Sequence, residues 1–563
     1  MDVENCDYDE LAFDEACVLL RSNSNSTDLW LYSLSFDCIA CPYTRIGNIF
    51  KETNLSVKFN TAKSHRWKIL RSNGSEDYLS ESDMRNTLYH FLPRMEQFGF
   101  YQLTVNDTNC DFKTIKRPTN SYTPLAITIG IIVTFLIGLL AVKWCTNRMK
   151  KKFEKNFDVN RIQERSGAKP RVQSIDTVRG ISILFMIFVN DGAGGYPVLE
   201  HATWDGLLVG DLVFPCFMWI MGVCIPIALS SQLSRGISRL SICSSIVKRS
   251  LMLFFIGLCL NTIGTEARLE EIRIFGVLQR FGVAYLVTGI IYTSQCPRKK
   301  KEAQMLLIIQ RTITRSFMDV ITLWSQWLMI LCIVLIHCLV TLQFWIPGCP
   351  KGYLGPGGRH ADGKYTNCTG GAAGFIDRNL LGVRHIYKQL AIRSVYGSGP
   401  FDPEGILGCL TSIFQVFLGV QCGQTLIYHM NWKGRIIRWI SWALVLGSLG
   451  SILHFKHYIP VNKNLWSLSF VLVTSCFSLC LLTACYLFID VAKIWRGGPF
   501  RIPGMNALAM YIGHQICYQI LPFNWKIGEM KTHGWLLAES LWGVALWIVV
   551  SYILHRKKIY ITL

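Results

Sequence analysis

The sequence predicts an all-α polytopic membrane protein of about eleven transmembrane helices, preceded by a β-rich domain. Three observations predict it. Hydrophobic residues make up 51% of the 563 and charged residues only 17%, against about 25% charged in a soluble domain. Apolar runs near the ~20 residues a membrane helix needs recur from Leu125 to the C-terminus. The net charge of +20 gathers in short Lys/Arg clusters beside those runs, which is the membrane pattern and excludes a nucleic-acid-binding role.

Residues 1–122 read as a lumenal, glycosylated, β-rich domain. The acidic start MDVENCDYDELAFDE lacks an apolar core and does not read as a signal peptide. NLSVKFN and GFYQLTV alternate apolar and polar residues with the period of a strand. Sequons at Asn25, Asn54, Asn73 and Asn106, with five cysteines, favour a lumenal or extracellular side. The Cys38-x-x-Cys41 pair reads as an oxidising-compartment disulfide rather than a redox or metal motif. No Cys/His spacing resembles a structural zinc site, so no metal is expected. Cys349 and Cys368 in a later polar loop raise the lumenal cysteines to seven. That number is odd, so one is free or pairs between chains.

Residues 123–145 form the first predicted span, and WCTNRMKKKFEK after it marks the cytosolic side. A charged link at 146–175 follows. Ten further spans are expected within 176–563, at about 176–190, 207–230, 247–264, 274–294, 321–345, 405–428, 436–455, 466–490, 505–522 and 534–554. An odd count puts the C-terminus in the cytosol. HRKKIY and the clusters Arg298–Lys301, Lys433–Arg438 and Lys493–Arg501 agree. The loop 346–404 then falls in the lumen, and it carries a fifth sequon at Asn367.

Polar groups inside spans are expensive and mark sites or fixed pairs. Asp211, Arg280, Asn506 and His514 are of this kind. Asp211 and Arg280 are expected either to pair with each other or with backbone groups, or to serve a site directly. Between two spans lies FVNDGAGGYPVLEHATWDGL, residues 188–207. Its four glycines supply a tight turn, and a wet turn with an incidental histidine is the plain reading. Its chemistry has a use, however. The His201 imidazole takes a proton from an amine, the Asn190 amide donates to an oxyanion, and the Trp204 indole suits a sugar face. A proton-coupled solute transporter and a receptor scaffold fit the same totals.

Further segments decide between these classes. SIDTVRGISILFMIFVN, EHATWDGLLVGDLVFPCFMWIMG, RIFGVLQRFGVAYL, GYLGPGG, NCTGGAAGFIDR, FDPEGILG, FLGVQCG, GMNALAMYIGH and YILHRKKIY resemble, in order, the lysosomal heparan-alpha-glucosaminide N-acetyltransferase family. The likeness runs from about residue 174 to the C-terminus and is looser in the first domain. It implies transfer of acetyl from cytosolic acetyl-CoA to the terminal α-glucosamine of heparan sulfate in the lysosomal lumen. The family's active-site histidine falls on His201 and its asparagine on Asn190. A homodimer in the lysosomal membrane, N-terminus lumenal, is implied as well.

Chemistry and side then assign the remaining residues. Arg179, Lys248, Arg249 and Arg501 are cytosolic cations for the acetyl-CoA head, and Arg280 and Asn506 line the path of its arm. Trp204, Asp211, Asp402 and Glu404 are expected at the acceptor, although Asp402-Pro403-Glu404 also reads as a helix cap. Asp191, Glu200 and Asp205 replace an aromatic, a lysine and an asparagine of the family's hairpin, which leaves a different lumenal acceptor open.

Overall fold

The computed structural model describes residues 11–23, 29–49, 55–71, 76–83, 86–154, 172–263, 268–296, 317–388 and 391–561. Nine strands open the described chain: β1 (Glu15–Ser22), β2 (Leu29–Ser35), β3 (Tyr43–Asn48), β4 (Leu55–Asn60), β5 (His65–Arg71), β6 (Tyr78–Leu79), β7 (Thr87–Phe91), β8 (Phe100–Val105) and β9 (Cys110–Lys116). They form two sheets, β4-β1-β8-β9 and β6-β3-β2-β5-β7. The alternation read in GFYQLTV is the core face of β8, where Tyr101, Leu103 and Val105 are buried. Trp67 fills the core, meeting Phe91 and Phe112 edge-on at 5.7 and 5.8 Å.

Cys38 bonds to Cys41 and Cys349 to Cys368. Cys17 is disulfide-bonded as well, and Cys110 is the free thiol that the odd count requires. Of the sequons, Asn367 is exposed and Asn106 half-buried. Asn25, Asn54 and Asn73 lie outside the described residues, as does the Arg298–Lys301 cluster.

The rest is helical: α1 (Thr123–Glu154), α2 (Gln173–Asn190), α3 (Val213–Ser234), α4 (Arg239–Leu260), α5 (Val277–Gln295), α6 (Met318–Ile321), α7 (Trp324–Gln343), α8 (Gly371–Leu380), α9 (Ala391–Tyr396), α10 (Ile406–Tyr428), α11 (Trp432–Phe455), α12 (Leu468–Tyr486), α13 (Arg501–Met505), α14 (Ala507–Ile516) and α15 (His533–Arg556). Among the described residues, seven helical stretches are long and apolar enough to cross a bilayer, namely those holding α3, α4, α7, α10, α11, α12 and α15. The helices α1, α2, α5 and α14 occupy the other four predicted positions.

Two expectations change. α1 continues to Glu154, so the start of the predicted link is helical. The span expected at 505–522 is one ten-residue helix, α14, cut off from α13 before it by Asn506, whose φ of −121° and ψ of 32° break the helix.

α10 is the centre of the bundle, 89% buried, whereas α7 and α11 are 22% buried and turn their apolar side chains outward. α3 and α10 touch backbone to backbone. A Cβ on Gly222 would lie 2.0 Å from the Val416 carbonyl oxygen, and one on Gly419 2.1 Å from that of Trp219. Small residues permit this approach, and packing is the main attraction between helices in lipid.

The β domain seats on one end of the bundle. Tyr396 donates to the Asp37 carbonyl at 2.8 Å, Ala361 N–H to Ala40 at 2.8 Å, and Gln97 to Lys531 at 2.9 Å. His533, which is buried, lies between Asp14 Oδ1 at 2.8 Å and the Gly194 carbonyl at 2.9 Å. Both partners are acceptors, so the ring satisfies both only with a proton on each nitrogen. The segments touched, in the hairpin, the loop 346–404 and the start of α15, all belong to the side the span count calls lumenal.

Gly419→Val is expected to force α3 from α10 and lower the melting temperature of the detergent-solubilised protein, as overpacking costs about 1–3 kcal/mol or more. Gly130→Val, where an added Cβ would meet no other part of the described protein within 4 Å, should leave it unchanged.

Candidate functional site

The hairpin leaves α2 at Asn190 and turns through Gly192, Ala193, Gly194 and Gly195, all with positive φ. A Cβ on Gly195 would sit 2.4 Å from Phe13 of the β domain, so this glycine serves both the turn and the docking. The return arm carries His201 to a buried carboxylate. Asp211 Oδ2 accepts from the backbone N–H of Ala202 and of Leu208, each at 3.0 Å. Asp211 Oδ1 lies 3.0 Å from His201 Nδ1. A Cβ on Gly210 would meet the Glu200 carbonyl oxygen at 2.6 Å, so glycine lets the Asp211 turn come this close.

Lys463 completes the group. Its Nζ lies 2.9 Å from His201 Nδ1 and 3.5 Å from Asp211 Oδ1. Its segment lies along the hairpin: Gly206 N–H donates to Val461 at 2.8 Å, Asn462 Nδ2 to Asp205 Oδ1 at 3.0 Å, and Asn464 Nδ2 to the Thr203 carbonyl at 3.1 Å. With Nδ1 protonated, His201 donates to the carboxylate, and the Lys463 ammonium lies beside that carboxylate. Nε2 has no hydrogen bond among the described residues, and the side chain is 46% exposed. The free nitrogen is the one available to a reactant.

Asn190 makes a different pair. Its Nδ2 lies 2.8 Å from Nε2 of His514 on α14. No hydrogen bond joins Asn190 to His201 among the described residues.

Several predicted residues are committed elsewhere. Asp211 and Arg280 do not pair. Arg280, buried, donates to the Pro403 carbonyl at 2.8 Å and lies 4.7 Å over the Trp466 ring. Asp402 and Glu404 are not open to an ammonium, because Arg273 holds both. Arg273 reaches Asp402 through Nε at 3.0 Å and Nη2 at 2.6 Å, and it pairs with Glu404 too. Burial opposes the charge on Glu404, but Arg273 and Arg280 beside it keep the carboxyl below its usual range. Trp204 is buried, with its indole N–H given to the Leu354 carbonyl at 2.9 Å, so it presents no face to a sugar.

The cations assigned to acetyl-CoA divide. Arg179 donates to the Gly504 carbonyl at 3.2 Å and Arg501 to Gln173 at 3.0 Å, so both meet where α2 crosses α13. Lys248 and Arg249 are exposed on α4, with Arg249 over Tyr285. Asn506 holds the C-terminal tail: it donates to the Ile559 carbonyl at 2.9 Å and accepts from Ile561 N–H at 3.1 Å. Its amide is spent on this contact.

Comparisons with known proteins decide the family. A family model described as heparan-alpha-glucosaminide N-acetyltransferase, catalytic, matches residues 171–343. The human protein named heparan-alpha-glucosaminide N-acetyltransferase is 34% identical over 99% of this chain and 89% of its own. The mouse protein of that name is 33% identical over 98% and 89%. The chain belongs to this acetyltransferase family. Its matched region holds the hairpin, Asp211 and Arg280, so the His201–Asp211 contact lies within the part that defines the family.

Lys463 and Arg273 were missed by sequence reasoning. Both sit in short polar segments with other cations nearby, and no local pattern set them apart.

Two carboxyls outside the spans bear on pH. Burial pushes Asp377 up to about 7; its Oδ1 accepts from Ile406 N–H at 3.0 Å and its Oδ2 is buried without a partner. Burial and Glu539 push Asp191 up to about 7. Between the usual value of 3.8 and about 7, the folded protein keeps a proton that the unfolded chain has released. Stability therefore falls as pH rises through this window, by at most about 1.4 kcal/mol per unit for each group. Melting curves from pH 5 to 8 should slope less for Asp377→Asn than for the wild type.

Proposed function

We propose that the protein moves acetyl from acetyl-CoA on the cytosolic face of the lysosomal membrane to the amine of terminal non-reducing α-glucosamine of heparan sulfate in the lumen. One observation carries the reading: His201 sets Nδ1 against the Asp211 carboxylate, with Lys463 beside that carboxylate, while Nε2 stays free and exposed. The names of the human and mouse relatives support the substrate.

In this mechanism both substrates are bound together. The sugar nitrogen attacks the thioester carbonyl carbon, and His201 Nε2 takes the ammonium proton as the N–C bond forms. Asn190 gives an amide hydrogen to the tetrahedral oxyanion. An amide nitrogen carries two hydrogens, and His514 uses only one. Collapse breaks the C–S bond, and the thiolate of CoA takes the proton from His201. Asp211 keeps the ring oriented and balances its charge while the proton is held. Arg179, Lys248, Arg249 and Arg501 are the cations proposed for the nucleotide end of acetyl-CoA, reached from the cytosol; the N-terminal domain is lumenal and the C-terminus cytosolic.

The test is purified protein given labelled acetyl-CoA and a glucosamine-ended heparan oligosaccharide. Wild type should transfer label to the sugar amine. His201→Ala should lower kcat by 100-fold or more, on the order expected for a general base, and Asn190→Ala by about 100-fold. No transfer by wild type, beside an active human relative, would refute the acceptor. Label trapped on His201 without sugar would replace the ternary-complex route by an acetyl-histidine.

A further inference from the structure

α14 delivers a second histidine to the end of α2, and its bonding is fully specified. His514 is buried. Its Nδ1 lies 3.2 Å from the Met510 carbonyl oxygen, one turn back on the same helix. A carbonyl only accepts, so Nδ1 carries the proton. Nε2 is then a lone pair, and two amide nitrogens converge on it: Asn190 Nδ2 at 2.8 Å and Gln515 Nε2 at 3.1 Å. Tyr511 meets the ring edge-on at 5.4 Å and packs it in place.

The same bonds orient Asn190. Its side chain has no other hydrogen bond among the described residues, and it stands exposed at the last turn of α2. A free carboxamide rotates about its last bond between two nearly equivalent positions. One sets the amide nitrogen toward Nε2 and the other sets the carbonyl oxygen there. A lone pair at Nε2 selects the first, because the second sets lone pair against lone pair. One N–H of that nitrogen is then spent on the ring, and the second has a defined direction in which to meet an oxyanion.

We propose that His514 is a positioning residue for the reaction: its Nδ1-protonated ring holds the Asn190 carboxamide in the orientation that serves the transferred acetyl group. The proposal rests on the reading of Asn190 as oxyanion donor. His514 touches neither substrate. It acts through the direction of a neighbour's N–H, much as a fixed partner orients a catalytic imidazole.

Glutamine and asparagine separate this role from simple packing. The side-chain amide of glutamine reaches the place of Nε2, and its oxygen accepts there as Nε2 does. Asparagine is shorter and falls near Nδ1. Acetyl transfer is measured for His514→Gln, His514→Asn, His514→Ala, Asn190→Ala and the His514→Ala/Asn190→Ala double variant, each purified as a monodisperse peak. His514→Gln should keep kcat within about threefold of wild type. His514→Asn and His514→Ala should lose about tenfold or more in kcat, with KM for both substrates unchanged, as expected for a misplaced catalytic group. In the double variant the loss should equal that of Asn190→Ala alone, because the two residues act as one unit. Where His514→Ala does not fold, the contrast of glutamine with asparagine carries the test.

Equal losses for glutamine and asparagine, or a further loss from His514→Ala in the Asn190→Ala background, would overturn the proposal and leave Asn190 as oxyanion donor. Full activity of Asn190→Ala would remove that reading, and the proposal with it.

Discussion

Asp211 is buried without contact to solvent, and everything at the candidate site is arranged around keeping its charge. A buried carboxylate is costly unless its lone pairs are filled. Four nitrogens supply them: the backbone N–H of Ala202 and Leu208, the ring of His201, and Lys463. Each bond also does something for the fold. The Leu208 bond closes the turn that starts α3, and the Ala202 bond pins the return arm of the hairpin. The Lys463 contact ties that arm to the segment before α12. His201 is the one partner with a second, unused nitrogen, so satisfying the carboxylate leaves a reactive group at the surface.

This constraint explains why the β domain matters to a site it does not supply with side chains. The hairpin is held at both ends. Phe13 and His533 close on its glycine turn, while Asp211 and Lys463 hold the arm beyond. Trp204 lies in one apolar cluster with Tyr32, Leu34 and Tyr43 of the β domain and with Phe401 and Leu465. A residue that reads as a sugar platform in sequence is an anchor in three dimensions. The same holds for Asp402 and Glu404, whose charges are answered by Arg273 inside the protein.

Much of this was legible in the sequence, for physical reasons that can be named. Long apolar runs and period-2 alternation are local patterns, so the helices and the strands of the first domain were readable from them. The Cys38–Cys41 pair, three residues apart, was equally local. His201 and Asn190 were reached by the resemblance and by the polarity of their loop. Their partners were not. Lys463 lies far along the chain from His201, and His514 far from Asn190. Nothing in a single sequence reports such distances. The break at Asn506 was hidden too, because GMNALAMYIGH reads as a continuous helical segment.

The central claim is that the charge of Asp211 makes His201 a working base. Asp211→Asn preserves size but not charge, and its turnover in acetyl transfer measures the claim most directly. With protein shown to be folded and monodisperse, the account predicts that kcat falls by about 100-fold or more while KM for acetyl-CoA is little changed. A kcat within about threefold of wild type would contradict it, and would mean that His201 needs neither the orientation nor the charge that Asp211 supplies.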